Sequence, residues 1–204
     1  MRIIFADVDE AVVAAMRREF DGIDGVGFRH GSILDVECDA VVSPANSFGF
    51  MDGGIDLAYS ERFGWDLQGR LQGTILRRHH GELLVGAAEI VETNDSRIPY
   101  LISAPTMRVP SVIDETVNVY LAARAVLLLC ERGALGDGTP VAEAIETIAM
   151  PGMGTGVGRM SPRVSARQVR EAYRAVYADA GEYPAMLRDA FKRHERMVAG
   201  LAAR

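Results

Sequence analysis

Asp39-Ala40-Val41-Val42-Ser43-Pro44-Ala45-Asn46 runs on through Ser47-Phe48-Gly49-Phe50-Met51-Asp52-Gly53-Gly54 to Ile55-Asp56. Its first half reads as a buried strand, and the turn residues that follow end it abruptly. Gly49, Gly53 and Gly54 then separate that strand from a helical pattern running from Ile55 to Phe63. Strand, glycine loop and helix in that order put the loop at the carboxyl edge of an open α/β sheet, where ligands bind. Asn46 and Asp56 emerge at this edge. A carboxamide both donates and accepts, which suits paired ribose hydroxyls, while a carboxylate at a helix start can orient or deprotonate water. Two plainer readings stay open: Asn46 as a turn residue and Asp56 as a helix cap.

The same order recurs later. A strand from Thr147 to Met150 leads into Pro151-Gly152-Met153-Gly154-Thr155-Gly156-Val157-Gly158. Glycine permits positive φ and close backbone approach, so successive N–H groups can turn inward as an anion-binding nest, with phosphate the natural occupant. Neither standard nucleotide motif fits. A P-loop needs Gly-Lys-Ser/Thr, which is absent, and a dinucleotide fingerprint needs a glycine where Val157 or Arg159 stands. A flexible turn is the plainer reading of this loop taken alone.

Outward from these loops, strand-like and helix-like segments alternate along the chain. Further strands fit Ile3 to Ala6, Val26 to His30, Ala88 to Val91 and Tyr100 to Ala104; helices fit Glu10 to Phe20, Trp65 to Leu76, Val112 to Glu131, Ala166 to Ala178 and Pro184 to Leu201. Ser165 and Gln168 have the spacing of a capping box. The stretch from Val117 to Cys130 is apolar nearly all round, as expected of a helix packed on a sheet and covered by a neighbour. The fold class predicted is α/β, a three-layer α/β/α sandwich, in one domain spanning 1–204.

Composition narrows the function. With 22 Lys+Arg against 28 Asp+Glu the net charge is -6. That disfavours gripping a nucleic-acid backbone, an affinity that comes mostly from clustered basic residues. No apolar run approaches the roughly 18–20 residues of a membrane helix. The N-terminus reaches Asp7 too early for a signal peptide, so a cytoplasmic protein is expected. Cys38 and Cys130 read as buried thiols without metal-ligand spacing, and no metal site or cofactor is expected. His79-His80 reads as a solvated helix end, His30 as near the rim of the ligand edge, and Trp65 as a packing anchor.

The first loop resembles the Asp-Ala-Ile-Val-Asn-Ala-Ala-Asn, glycine loop and Val-Asp of the macro domain family, a module that binds ADP-ribose. Gly154-Thr155-Gly156-Val157 is similar to that family's Ser-Thr-Gly-Val-Tyr/Phe-Gly, and Tyr100-Leu101-Ile102-Ser103-Ala104-Pro105 to the strand between the two. The likeness runs from Ile3 to the C-terminal helix and implies a central mixed sheet of six or seven strands. Ser43 to Gly54 also looks like a bacterial subgroup described as phage-tail-associated. In the hydrolytic MacroD-type branch an Asn and an Asp stand ten positions apart, as Asn46 and Asp56 do. By resemblance, Asn46 positions the distal ribose and Asp56 activates water. Ala45, Gly53, Gly54, Ile55, Gly152, Gly154, Thr155, Gly156, Val157 and Gly158 wrap the diphosphate and riboses, and Ser32 and Ile33 meet the base.

Three positions depart from the pattern. The family's Gly-Asp-Ile is Gly31-Ser32-Ile33, where a hydroxyl replaces the acceptor of the adenine amino group unless Asp35 or another acid takes its place. An aromatic is replaced by Gly158, with Phe48 or Phe50 as substitutes, and a frequent His by Ser60. The expected partner is ADP-ribose or an ADP-ribosylated protein or small molecule. The reaction expected is hydrolysis of an ADP-ribosyl ester, on an acidic side chain or in O-acetyl-ADP-ribose. The alternatives are a non-catalytic reader and a structural role in a phage-derived particle.

Overall fold

The computed structural model describes residues 1–178 and 182–198. Six strands, β1 (Arg2–Asp7), β2 (Val26–His30), β3 (Ala40–Ser43), β4 (Glu89–Glu92), β5 (Tyr100–Ser103) and β6 (Thr147–Met150), form one sheet in the order β2-β1-β6-β3-β5-β4. All neighbours pair parallel except β4 and β5, so the sheet is mixed. β3 lies near the middle with every residue buried. Its side chains alternate between two cores. Ala40 and Val42 face one and Val41 the other, as a period of two demands.

Helices α1 (Glu10–Phe20), α4 (Asn118–Arg132), α5 (Val141–Ala144) and α6 (Pro162–Tyr173) supply the first core, through residues such as Phe20, Val126, Val141 and Val169. Helices α2 (Gly54–Phe63) and α3 (Asp66–His79) supply the second, where Leu67, Leu71 and Ile75 make a one-face stripe under Tyr59. Each such aliphatic side chain, fully withdrawn from water, contributes about 1.5–3 kcal/mol. The three-layer sandwich is therefore the observed architecture. A twelve-residue helix α7 (Leu187–Val198) closes the described chain, with Met197 buried and Leu187 and Phe191 exposed. Its expected extension to Leu201 lies outside the described residues, as do three positions after Ala178.

Several local expectations are corrected by longer-range contacts. α6 begins at Pro162, not Ala166, because Ser161 Oγ accepts the Val164 N–H and proline occupies the first turn. Ser165 instead donates to the Met153 carbonyl, and Gln168 bridges to α4 through the Tyr120 N–H and the Thr116 carbonyl. The π-helical turn Arg174–Ala178 follows α6. α4 starts at Asn118, six residues later than Val112, since the Ile113 N–H is spent on the Gly158 carbonyl and holds the preceding segment against the second glycine loop. Trp65 is 56% exposed, so it is not a buried packing anchor. His80 is exposed at the end of α3, as expected, but His79 is half-buried: it and Arg78 grip Glu89 of β4, itself 4% exposed, at 2.7 and 2.9 Å. Cys38 and Cys130 are buried free thiols. Among the described residues no helix is long and apolar enough to cross a membrane.

Candidate active site

The carboxyl ends of β1, β3 and β6 open into a cavity of about 560 Å³. Parallel strands bring them to one edge, so residues from four distant parts of the chain meet there. All of Ser32, Ile33, Ala45, Asn46, Gly53, Gly54, Ile55, Asp56, Gly152, Gly154, Thr155, Gly156, Val157 and Gly158 line it. The sequence did not single out Asp7, Val8, Asp52, Thr106, Met107 or Pro110, which line it too. No Lys, Arg or His does so among the described residues.

Asp56 sits in the first turn of α2 and is 7% exposed. It is not a cap: Gly53 holds the N-cap position, with no side-chain cap bond. Its Oδ1 accepts a 2.5 Å hydrogen bond from Ser43 Oγ at the end of β3, while Tyr59, one turn on, donates to the Val42 carbonyl at 3.0 Å and fixes the helix against that strand. Burial pushes the Asp56 carboxyl up to about 6, with the Ser43 hydrogen bond pulling the other way. A carboxylate with that midpoint is a competent base near neutral pH.

Asn46 is committed to its own loop. Its Oδ1 accepts the N–H groups of Phe48 and Phe50 at 3.1 and 3.3 Å, and its Nδ2 donates to the Phe50 carbonyl at 2.8 Å. This is the turn-residue reading, and it leaves one amide hydrogen for a ligand. Phe50 lines the cavity, half-exposed, whereas Phe48 lies beneath Arg108 and away from it. Ser60 donates to the Met51 carbonyl.

The second loop is fastened from outside. Asp7 Oδ2 accepts the Gly152 N–H at 2.9 Å, so that N–H is spent on the protein; Asp7 Oδ1 meanwhile accepts the Asp9 N–H. Gly154 has φ +71°, and a Cβ there would lie 2.8 Å from Val119 Cγ2. At Gly158 a Cβ would stand 2.5 Å from the Gly154 carbonyl oxygen, so the backbone here leaves no room for a side chain. The N–H groups of Thr155, Gly156, Val157 and Gly158 make no hydrogen bond within the described residues. At the other end, Ser32 Oγ accepts the Leu34 N–H at 3.2 Å. Asp35 is paired with Arg29 outside the cavity, so the carboxylate lining that end is Asp7.

Residues 42–169 match the macro domain family model. The chain belongs to the macro domain family. An Aquifex aeolicus protein described as uncharacterized is 33% identical over 147 residues, covering 71% of this chain and 78% of that one. In structure, this macro domain is similar to that of Mycobacterium tuberculosis DarG, with a TM-score of 0.57 and 18% identity over 72% of this chain and 88% of the other. It is also similar to an Oceanobacillus iheyensis macrodomain variant solved with ADPR, with a TM-score of 0.55 and 18% identity over 69% and 74%. Such distant identities speak to the fold.

Proposed function

We propose that the cavity binds ADP-ribose and hydrolyses an ADP-ribosyl ester, with Asp56 as the general base. The observation that carries this reading is the buried Asp56 carboxylate, held at the cavity wall by Ser43 with its midpoint near 6. The diphosphate lies along the free N–H groups of 155–158 and the uncapped first turn of α2, where partial positive charge collects. The base end lies against Asp7, Ser32 and Ile33, and the distal ribose lies between Asn46 and Asp56. Asp56 Oδ2 takes a proton from water as its oxygen attacks the ester carbonyl carbon. The bond between the carbonyl carbon and the ribose oxygen then breaks, and the proton held by Asp56 passes to that departing oxygen, leaving the free acid and ADP-ribose.

The test is turnover of glutamate-linked ADP-ribosyl substrate and of O-acetyl-ADP-ribose by wild-type, Asp56→Ala and Asn46→Ala protein. Release of free ADP-ribose that survives both substitutions undiminished removes the mechanism. Asn46 favours a second reading, a non-catalytic ADP-ribose reader, because its carboxamide is already engaged with Phe48 and Phe50. Calorimetric binding without turnover of either ester supports the reader; release of ADP-ribose excludes it.

A further inference from the structure

Charge is not spread evenly along the chain. Residues 161–204 carry nine Lys+Arg and five Asp+Glu, a net +4, whereas the residues before them carry 13 and 23, a net -10. Charge segregated in this way points to a partner of the opposite sign at the basic end. The basic stretch includes α6 and α7, and no residue of α7 lines the cavity.

α7 is amphipathic, and part of its apolar face is left in water. The side carrying Asp189, Ala190, Arg193 and Met197 is the covered one: Met197 is buried, and the carbonyls of Arg196 and Met197 accept from Arg167 and Gln168 of α6 at 3.3 and 3.5 Å. Leu187 and Phe191, one turn apart on the outer flank, are 75% and 59% exposed, and Tyr183 and Met186 just ahead of the helix are exposed as well. Arg188 and Lys192 stand beside that row, each one position after an apolar residue, and both are exposed. Of the two acidic residues of α7, Asp189 is on the covered side and Glu195 on the outer one. Single exposed apolar residues need no explanation; four large ones within nine positions, edged by cations, mark a contact surface.

The occupant follows from the chemistry of the two rows. A nucleic-acid backbone matches the cations but leaves Leu187 and Phe191 in water, and an apolar groove on another protein matches those two but leaves the cations unused. An anionic lipid surface satisfies both rows. We propose that α7 docks this macro domain on an anionic membrane surface through Leu187, Phe191, Arg188 and Lys192. The apolar row enters the boundary between headgroups and acyl chains, while the long stems of Arg188 and Lys192 carry their charges to the lipid phosphates. At twelve residues α7 is too short to span a bilayer and lies along its surface. The segregated charge orients the molecule, since the same surface repels the acidic remainder of the chain. This docking is independent of what the cavity binds.

The experiment is flotation of the full chain with vesicles of phosphatidylcholine alone, or of equal parts phosphatidylcholine and phosphatidylglycerol, at low and physiological ionic strength. Wild-type protein floats with the anionic vesicles and not with the neutral ones, and binding weakens about tenfold at the higher salt. Two double variants, Leu187→Asp with Phe191→Asp and Arg188→Glu with Lys192→Glu, each weaken vesicle binding about tenfold or more. All four side chains are exposed, so the melting temperature stays that of wild type and separates lost docking from lost folding. Absence of flotation with anionic vesicles overturns the proposal, as does equal flotation with neutral ones or binding that survives both double variants. A dimer in sedimentation that Leu187→Asp with Phe191→Asp dissociates, with vesicles left unbound, makes a second copy the occupant and overturns it too. So does binding to a duplex DNA oligonucleotide in place of vesicles.

Discussion

Loop one, 44–53, and loop two, 151–160, each follow a buried parallel strand and border the same cavity, yet only the first is clasped by a side chain of its own. Loop one has a clasp of its own, Asn46 onto Phe48 and Phe50, and is also tied to distant residues: the Met51 N–H donates to Gln68, the Ser47 N–H to the Arg108 carbonyl, and the Leu83 N–H to the Ser47 carbonyl. Loop two is tied outward, to Asp7 of β1 and to Ile113 ahead of α4. The first therefore combines an internal side-chain clasp with outside ties and leads into α2, where Asp56 stands at a fixed point. The second depends on packing from residues distant in sequence and offers backbone donors. On this division loop one and Asp56 carry the chemistry, and loop two, with the first turn of α2, carries the affinity.

The strongest way to break that division is Asp56→Ala. Loss of a general base is expected to lower ester turnover about 10²–10⁴-fold. ADP-ribose affinity, measured calorimetrically, should stay within about tenfold, because the side chain is not a phosphate donor. A matching collapse in affinity would mean that loop one binds as much as it reacts.

The pH dependence follows from the same carboxyl. Turnover should fall as pH drops through about 6, where Asp56 takes up its proton. Stability should move the other way. The folded midpoint of about 6 exceeds the unfolded value of 3.8, so between these pH values the native state binds more protons. The stabilisation is complete below the unfolded value and is lost as pH rises through the folded one, amounting to about 3 kcal/mol. Denaturant unfolding at several pH values checks the sign, and Asp56→Asn should remove this contribution.

Gly158→Ala tests loop two. Its Cβ would meet the Gly154 carbonyl oxygen at 2.5 Å and Ile113 Cγ1 at 2.7 Å. Backbone cannot yield as a flexible side chain does, so about 1–3 kcal/mol of strain is expected, with ADP-ribose affinity down about 10–100-fold. Gly156 is the matched control, since nothing lies within 4 Å of a Cβ there; Gly156→Ala should leave the melting temperature nearly unchanged.

What the sequence made legible follows the same contrast. Alternating periods revealed the layers, and the stretch from Asp39 to Asp56 reads locally because its clasp, Asn46 onto Phe48 and Phe50, lies within it. Loop two's fastening was invisible: Asp7 and Gly152 are 145 positions apart, and no pattern around Asp7 marks it as more than a polar residue ending a strand. The late start of α4 was missed likewise, because the contact with Gly158 overrode the local pattern; the start of α6 was legible locally, as an N-cap Ser161 before a first-turn Pro162, but Ser165 and Gln168 offered a competing signal. Ser43 drew no reading of its own, because its partnership with Asp56 required the fold to bring α2 back over β3.

The smallest effect expected is that of salt. A protein of net charge -6 with no basic side chain lining its cavity among the described residues cannot hold a diphosphate by ion pairing with Lys or Arg. The attraction must come from N–H groups at contact distance, whose partial charges act within a few ångströms and are not screened as separated full charges are. ADP-ribose affinity should then change by less than about twofold between low and physiological ionic strength. A steep fall would place charged side chains from outside the described lining on the diphosphate, and would move the source of affinity away from loop two.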